Sequence, residues 1–524
     1  MNGYLTFSSD DAFSLTINAQ AAYPGILEYS TDTTNWTEVI KGSAIESVDN
    51  KIYLRGSNNS YLCHQYSLND DNGYWPCIDL GYWPDIKCSG NIETLLDYNT
   101  VLNNQHPYMA KACFKGLFYD CYNLVSAPEL PSINLAPSCY HGMFAHSGLR
   151  QSPELPALSV PSRSYAAMFE SCNSLKSIGP IAATSLSSYS CHSMFESCKS
   201  LVLPPQLHIT QLAERCCEEM FAYCSALLVA PALPATRMAD SCYWNMFRGC
   251  TSLTSAPDLP ATTLAEGCYR LMFADCTSLK IAPALPATTL AYSCYNSMFS
   301  NCTSLIQAPE LPATQLNEMC YTGMFYGCSS LPNAPQLPAT KMESYCYSEM
   351  FDNCIGLTSA PNLPATELAL GCYNSMFSGC TNLKQVLDLP ATTLARYCYK
   401  RMFYQCESLK TLPVLPATTL MESCYEEMFS GCTRIRLSTV SVDKYTVPYR
   451  IPSTEETGTD AEDAVVNMFT NTGGPFTGTP DINTIYYLHD GSGYIVRVNG
   501  KPLNKINGKR VSHFTYNGTT YEVA

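Results

Sequence analysis

Twenty-eight cysteines and eight histidines have the widest chemical reach in this chain of 524 residues. Thiolates and neutral imidazoles hold zinc, attack carbonyl carbons and exchange disulfides. Their placement here permits much less. Eleven cysteines stand four residues ahead of a recurring hydrophobic pair, from Cys113 and Cys139 to Cys424, and twelve stand four residues behind it, from Cys121 and Cys172 to Cys432. Zinc sites use close Cys-x-x-Cys pairs, which this spacing does not supply. Two positions eight apart on a helix would lie about 12 Å apart along its axis, beyond the reach of a disulfide. Equivalent cysteines of successive copies would form a ladder, where pairing satisfies alternate rungs at most. The expectation is reduced, buried thiols acting as small core residues, with Ser147 and Ser164 replacing two of them without visible compensation.

The histidines are His64, His106, His141, His146, His192, His208, His489 and His513. None recurs at a repeat position or stands at metal-ligand spacing from a carboxylate, and His192 reads as a surface residue. Glu218-Glu219 and Glu426-Glu427 are adjacent, so on a helix they diverge by about 100° and cannot flank one glycosidic bond. There is no glycine-rich phosphate loop, no Gly-x-Ser-x-Gly, no His-Glu-x-x-His and no calcium loop. The residues therefore predict no catalytic centre, no metal and no cofactor.

The elements behind these residues form a repeat. With the Met-Phe pair as ruler, the unit returns at Met143, Met168, Met194, Met220, Met246, Met272, Met298, Met324, Met350, Met376, Met402 and Met428, every 26 residues apart from one step of 25. A degenerate first copy carries Leu117-Phe118. Such a fixed period marks a solenoid, whose units pack on their neighbours. In each unit, as in Cys268, Tyr269, Met272, Phe273 and Cys276, apolar residues fall at i, i+1, i+4, i+5 and i+8, which predicts a buried helical face of about two turns. Ser-Leu, two variable positions and Ala-Pro-x-Leu-Pro follow. The prolines favour extended backbone but cannot donate to a ladder, so short or partial strands are expected.

Phe273-Ala-Asp-Cys276-Thr-Ser-Leu279 followed by Leu-Pro resembles the BspA-like leucine-rich repeat, with its Phe-x-x-Cys-x-x-Leu core. This sequence departs from that pattern in its longer period and in Met-Phe where Ala-Phe is frequent. The resemblance implies a curved α/β solenoid, used for adhesion or recognition by microbial surface proteins and by phages, and implies no chemistry. The fold expected is an α/β repeat solenoid of about thirteen units spanning residues 96–436, flanked by small all-β domains. Residues 1–95 read as a β-sandwich-like domain, 437–483 as a capping repeat around Met468-Phe469, and 484–524 as a β-hairpin module turning at Asn499-Gly500, Asn507-Gly508 and Asn517-Gly518. Within the first domain, Ser30 to Trp36 resembles the structural Asp-box hairpin of sialidase-like propellers, without its glycine.

Two surfaces could bind. After each Ser-Leu, the variable residues Thr254, Ser255, Asp258, Lys280, Glu310, Gln336, Asn362, Lys384, Asp388 and Lys410 would line the strand face; a second ridge runs through Trp244, Arg270, Asn296, Thr322, Ser348, Asn374, Lys400 and Glu426. Tyr74, Trp75, Tyr82 and Trp83 form a candidate aromatic patch, which alternatively seals the junction between the first domain and the repeats. A net charge of −15 without a cluster of Lys and Arg argues against nucleic acid and anionic membranes, and no apolar run reaches the roughly 20 residues of a spanning helix. The first ten residues lack the basic head and apolar run of a secretory signal, and no lipidation motif is present. On these grounds the sequence predicts a non-enzymatic bacteriophage virion appendage, a tail or head fibre made in the host cytoplasm. It would be a homo-oligomer that binds a host surface glycan or protein and meets other virion proteins through a terminal β-domain. A bacterial cell-surface adhesin is the alternative, and a polysaccharide depolymerase ranks third.

Overall fold

The computed structural model describes residues 3–62, 76–442, 444–454 and 456–490, together with strand residues between 497 and 522. The chain divides into two compact units, Met1–Ala287 with Ala291–Leu305, and Thr288–Leu290 with Ile306–Ala524.

The first unit opens with strands β1 (Leu5–Ser8), β2 (Ser14–Ile17), β3 (Ile26–Ser30), β4 (Thr37–Glu38), β5 (Ala44–Glu46), β6 (Lys51–Ser57), β7 (Ile78–Asp79) and β8 (Ile86–Ser89), followed by helix α1 (Thr94–Leu102). Strand β9 (Leu124–Ser126) belongs to the first repeat and pairs in parallel with β8, completing a six-stranded sheet ordered β4-β3-β6-β1-β8-β9. A second sheet is ordered β5-β2-β7. Alternation decides the buried side: Leu5, Phe7, Ile52 and Leu54 are all fully buried. Phe7 meets Phe118 of the first repeat edge to face at 6.2 Å, so the sheet covers the start of the solenoid core. Trp36 packs on Tyr4 at 4.9 Å with the Arg55 guanidinium 4.0 Å over its ring.

Within the repeats the predicted helix is not there: α1 is the one α-helix among the described residues. The segment from cysteine to cysteine is instead a ribbon of linked turns with a four-residue period. In the copy around Met246, the amides of Cys242, Trp244, Met246, Arg248 and Cys250 donate to the carbonyl three residues back, at 3.0–3.2 Å. The alternate amides, of Ser241, Tyr243, Asn245, Phe247 and Gly249, donate across to the next rung at 2.7–3.1 Å. An α-helix would have kept all of them. Every fourth residue turns the ribbon by adopting positive φ: Ser241 (51°), Asn245 (55°) and Gly249 (69°). Such backbone costs a non-glycine residue about 1–2 kcal/mol, which the second set of hydrogen bonds offsets.

Two of every four ribbon residues point inward, and like side chains stack. In the first unit the phenylalanine rings from Phe118 to Phe299 stand 5.4–5.7 Å apart and nearly parallel. In the second, those from Phe325 to Phe469 stand 5.5–5.7 Å apart. Tyrosine columns accompany them, such as Tyr243, Tyr269 and Tyr295 at 5.8–6.0 Å. Cysteine takes the tyrosine place at Cys191 and Cys217.

No disulfide joins the 27 described cysteines, and all of them are buried. Their recurrence has a polar reason beyond size. The thiol of Cys250 donates to the carbonyl of Phe221 at 3.1 Å, that of Cys276 to Phe247 at 3.1 Å and that of Cys380 to Phe351 at 3.1 Å. Each is a second hydrogen bond to an acceptor in the preceding rung. Serine takes a cysteine place three times, and at two of them the loss is compensated: Ser164 Oγ donates to the Ala136 carbonyl at 3.0 Å, and Ser147 Oγ lies 3.4 Å from the sulfur of Cys172, while Ser190 is the third.

The extended part of each repeat is held by single parallel bridges, such as Val229 with Ser255 and Ser359 with Gln385. The short strands β10 (Ser159–Val160) and β11 (Ser185–Leu186) are the longest such pairing in the first unit's repeats after β9. In the second unit a 14-residue insertion after the usual step places Met468 and Phe469 on the rung following Met428, with Phe469 stacked on Phe429 at 5.7 Å. Tyr449 and Phe476 stand edge-on to Phe469, both at 6.3 Å, and close the ring column. They belong with a sheet ordered β12-β14-β13, where β12 is Leu437–Ser438, β13 Tyr445–Arg450 and β14 Ile485–His489. Beyond it three antiparallel hairpins pair Arg497–Val498 with Lys501–Pro502, Lys505–Ile506 with Lys509–Arg510, and His513–Tyr516 with Thr519–Glu522.

Candidate functional site

Position in the rung decides which residues meet solvent. The leucine three residues after the second cysteine of each repeat is fully buried, as Leu253, Leu279, Leu357 and Leu383 are, so the chain's next residues turn outward on the extended segment. In the first unit Thr254, Ser255, Asp258 and Lys280 are exposed. In the second, Glu310, Gln336, Asn362, Lys384, Asp388 and Lys410 are exposed. The bridges hold the segment flat, so these side chains form a file in each unit.

The second ridge, on the turn ribbon, differs. Ser348 is buried, Trp244, Asn296, Thr322, Asn374, Lys400 and Glu426 are half-buried, and Arg270 is exposed. Its polar groups largely satisfy one another between rungs. Lys400 pairs with Glu426 at 2.8 Å, Arg401 with Glu427 and Arg396 with Glu422. Thr322 Oγ1 donates to the Tyr345 carbonyl at 2.7 Å, and Trp244 is covered by the guanidinium groups of Arg215 and Arg270 at 5.0 and 5.2 Å.

Stacking also brings together groups that look isolated in the sequence. His192 Nε2 lies 3.6 Å from Glu218 Oε2 and 3.9 Å from Glu219 Oε2, so it is no lone surface residue. With no helix there, Glu218 and Glu219 do not diverge away from a common partner. Arg215 reaches Glu218 at 3.6 Å, while Ser193 Oγ and Asn245 Nδ2 donate to Glu219 at 3.3 and 3.1 Å. Burial pushes the carboxyls of Glu196 and Glu218 up to about 7 and that of Glu170 in the same direction. It pushes the imidazole of His192 down, and that of His141 to about 3. His106 Nδ1 meets Glu93 at 2.8 Å, and Ser132 Oγ donates to the same carboxylate. Here the carboxylate stands between serine and imidazole, so the histidine is not placed to take the serine proton. Among the described residues no group of three or more His, Cys, Asp or Glu could hold a metal ion.

Tyr82 and Trp83 are 80% and 86% exposed, so they do not seal the junction with the repeats. Tyr74 and Trp75 lie outside the described residues. The expectation of no basic cluster is overturned. Lys410, Arg434, Arg436 and His489 line one open groove of about 260 Å³. Lysine and arginine 26 residues apart form no run in the sequence, yet they are neighbours in a stack.

Among the described residues no helix is long and apolar enough to cross a membrane. No curated protein and no solved structure matches the chain. The family model for the BspA type leucine-rich repeat region matches in six copies, over residues 241–367 and 344–447. Those residues carry the stacked Phe and Leu columns and the thiol ladder described above, and on that match residues 241–447 are a BspA type leucine-rich repeat region.

Proposed function

We propose that this is a non-enzymatic recognition protein that binds a host surface glycan or protein with the strand face of its repeats, carried on a bacteriophage particle as a tail-fibre or head-fibre component. The observation that supports the binding face is the contrast between the two files of variable residues. The strand-face residues stand exposed, whereas those of the turn ribbon, Arg270 apart, are buried or half-buried, and several bond to the neighbouring rung. Extended concave or flat faces of solenoids are suited to long, repetitive ligands. The buried cysteines, which form no disulfide among the described residues, support folding in a reducing cytoplasm, where a virion protein is made before lysis. The terminal β-structures are the places for contact with other virion proteins or for homo-oligomer assembly by edge pairing.

A bacterial surface adhesin is the second reading, favoured by the BspA-type match itself. Mass spectrometry and immunogold labelling of purified particles separate the two: the protein on virions supports the first, and protein confined to the cell envelope overturns it. The binding face is tested with whole host cells. Gln336→Ala with Asn362→Ala weakens attachment if the strand face binds, and Asn374→Ala on the ribbon leaves it unchanged; the reverse result overturns the assignment.

A further inference from the structure

We infer that the strand face of the second unit ends in a binding groove for an anionic glycan bearing carboxylate or sulfate groups. This deepens the proposal that the strand face binds, and rests on it. Lys384, Lys410 and Arg436 occupy the same place in three consecutive rungs, eight residues after Met376, Met402 and Met428. All three are exposed. The phenylalanine rings of these three rungs, Phe377, Phe403 and Phe429, follow one another at 5.7 and 5.6 Å, so the three cations form a stripe. Lys410 and Arg436 line the groove together with Arg434, two residues before Arg436, and His489 on β14, while Lys384 stands one rung earlier in the same stripe. Its wall is fixed by the backbone, because the amide of His489 donates to the carbonyl of Arg436 at 3.0 Å.

Three observations point to an anion. Among the described residues no carboxylate oxygen lies within 4.0 Å of the charged nitrogens of Lys384, Lys410, Arg434 or Arg436, whereas the ribbon cations Arg396, Lys400 and Arg401 each have one. The rung place that carries Glu310 and Asp388 is taken beside Lys410 by Val414, whose amide donates to the Asp388 carboxylate at 3.1 Å and so engages the nearest acid of that file. Burial, with Arg436 and Lys444 nearby, lowers the proton affinity of His489 despite the opposing charge of Asp490. A neutral imidazole there can hydrogen-bond a sugar hydroxyl or an anionic oxygen. Guanidinium forks match the paired oxygens of carboxylate and sulfate. A charge of −15 over the chain repels a dense polyanion such as nucleic acid outside the groove, while a glycan with spaced charges places an anion at the groove without carrying high charge along the rest of the face.

The test uses the full chain and four immobilised probes: polygalacturonate, kappa-carrageenan as a sparsely sulfated glycan, neutral dextran and duplex DNA. Binding to polygalacturonate or carrageenan that weakens as salt rises, with little to dextran or DNA, is expected, and the preferred probe identifies the anion. Lys410→Gln with Arg434→Gln and Arg436→Gln should weaken it by about tenfold or more, the scale of losing one charge-assisted hydrogen bond. These are exposed side chains, and circular dichroism checks that the variant stays folded. No binding to either charged polysaccharide, unchanged binding by the triple variant, or DNA bound as well as the polysaccharide overturns the groove. If the triple variant attaches to host cells normally while Gln336→Ala with Asn362→Ala does not, the groove fails and the strand face stands. If neither variant changes attachment, both fail.

Discussion

Gly249→Ala separates a turn ribbon from a helix by the sign of its effect. In a helix interior the substitution stabilises by about 1 kcal/mol. Gly249 instead holds φ at 69°, and an added Cβ would stand 2.6 Å from Cδ1 of Tyr223 on the preceding rung. Left-handed backbone costs alanine about 1–2 kcal/mol relative to glycine. The place is not closed to side chains, since Asp275 and Asn301 hold it at 62° and 57°. Tyr223 is 42% exposed, so its ring can swing aside for about 1 kcal/mol, the scale of an off-rotamer torsion. The sum is about 2–3 kcal/mol of destabilisation, opposite in sign to the helical case. Repeat arrays open locally, so the measurement is amide hydrogen exchange across residues 241–250 in the intact chain. The amides of Tyr243, Asn245 and Phe247, which donate to the next rung, should exchange about thirtyfold or more faster, with Tyr347 and Phe351 of the second unit unchanged as control. Exchange that slows in the variant would refute the ribbon.

Phe351→Ala removes a fully buried ring stacked at 5.5 Å on both Phe325 and Phe377, and should cost about 3–5 kcal/mol locally, read as loss of exchange protection in its own and adjoining rungs. An effect below about 1 kcal/mol would contradict the stacking. Burial pushes the thiols of Cys224 and Cys432 up to about 12, so maleimide at neutral pH should label few repeat cysteines in the native chain and nearly all in denaturant without reductant; blocked thiols after denaturation would mean disulfides. Glu196 and Glu218 titrate at about 7 folded against 4.5 unfolded, so the folded state binds their protons more tightly and the first unit gains stability as pH falls from about 8. His141, lowered from 6.5 to about 3, acts oppositely and withdraws stability below 6.5. The melting temperature of the first unit should therefore rise between pH 8 and 6.5, and Glu196→Gln with Glu218→Gln should flatten that rise; a rise that survives both changes would contradict the assignment.

The repeat is legible because its markers are large side chains that must stack: Met246, Phe247, Met350 and Phe351 are all fully buried. Its backbone is not legible from the same spacing. Over the eight residues from Cys268 to Cys276, periods of 3.6 and 4.0 differ by only about a fifth of a turn, so the apolar pattern fits both. The discriminating signal is at the outer places, where Asn301, or Asp463, Asn467 and Asn471, tolerate positive φ better than most residues. The exposure of the strand-face residues follows from their place after the buried leucine. Pairings such as Lys400 with Glu426 and Ser193 with Glu219 require one further step, reading residue i against i+26. That step also exposes the stripe of Lys384, Lys410 and Arg436. The remaining wall, His489, comes from a strand placed by tertiary pairing, with no local pattern to announce it.

The ribbon's alternate hydrogen bonds also make each stack electrically polar. In the second unit the amide of Tyr347 donates to Cys372, that of Tyr373 to Cys398, that of Tyr399 to Cys424 and that of Tyr425 to Ala464. A parallel chain runs from Phe351 through Phe377, Phe403 and Phe429, and another from Glu349 through Ser375, Arg401 and Glu427. Each linking peptide accepts from the rung before and donates to the rung after, so amide dipoles align head to tail and polarise one another as along a helix axis. Side by side and equal in sense, these columns form a small electret, with its oxygen pole at the early rungs and its N–H pole at the rung of Met468. There the amides of Asn467 and Phe469 end on Thr479 Oγ1 at 3.0 Å and the Gly478 carbonyl at 2.9 Å. Two residues thus quench donor groups where the field of the whole unit emerges.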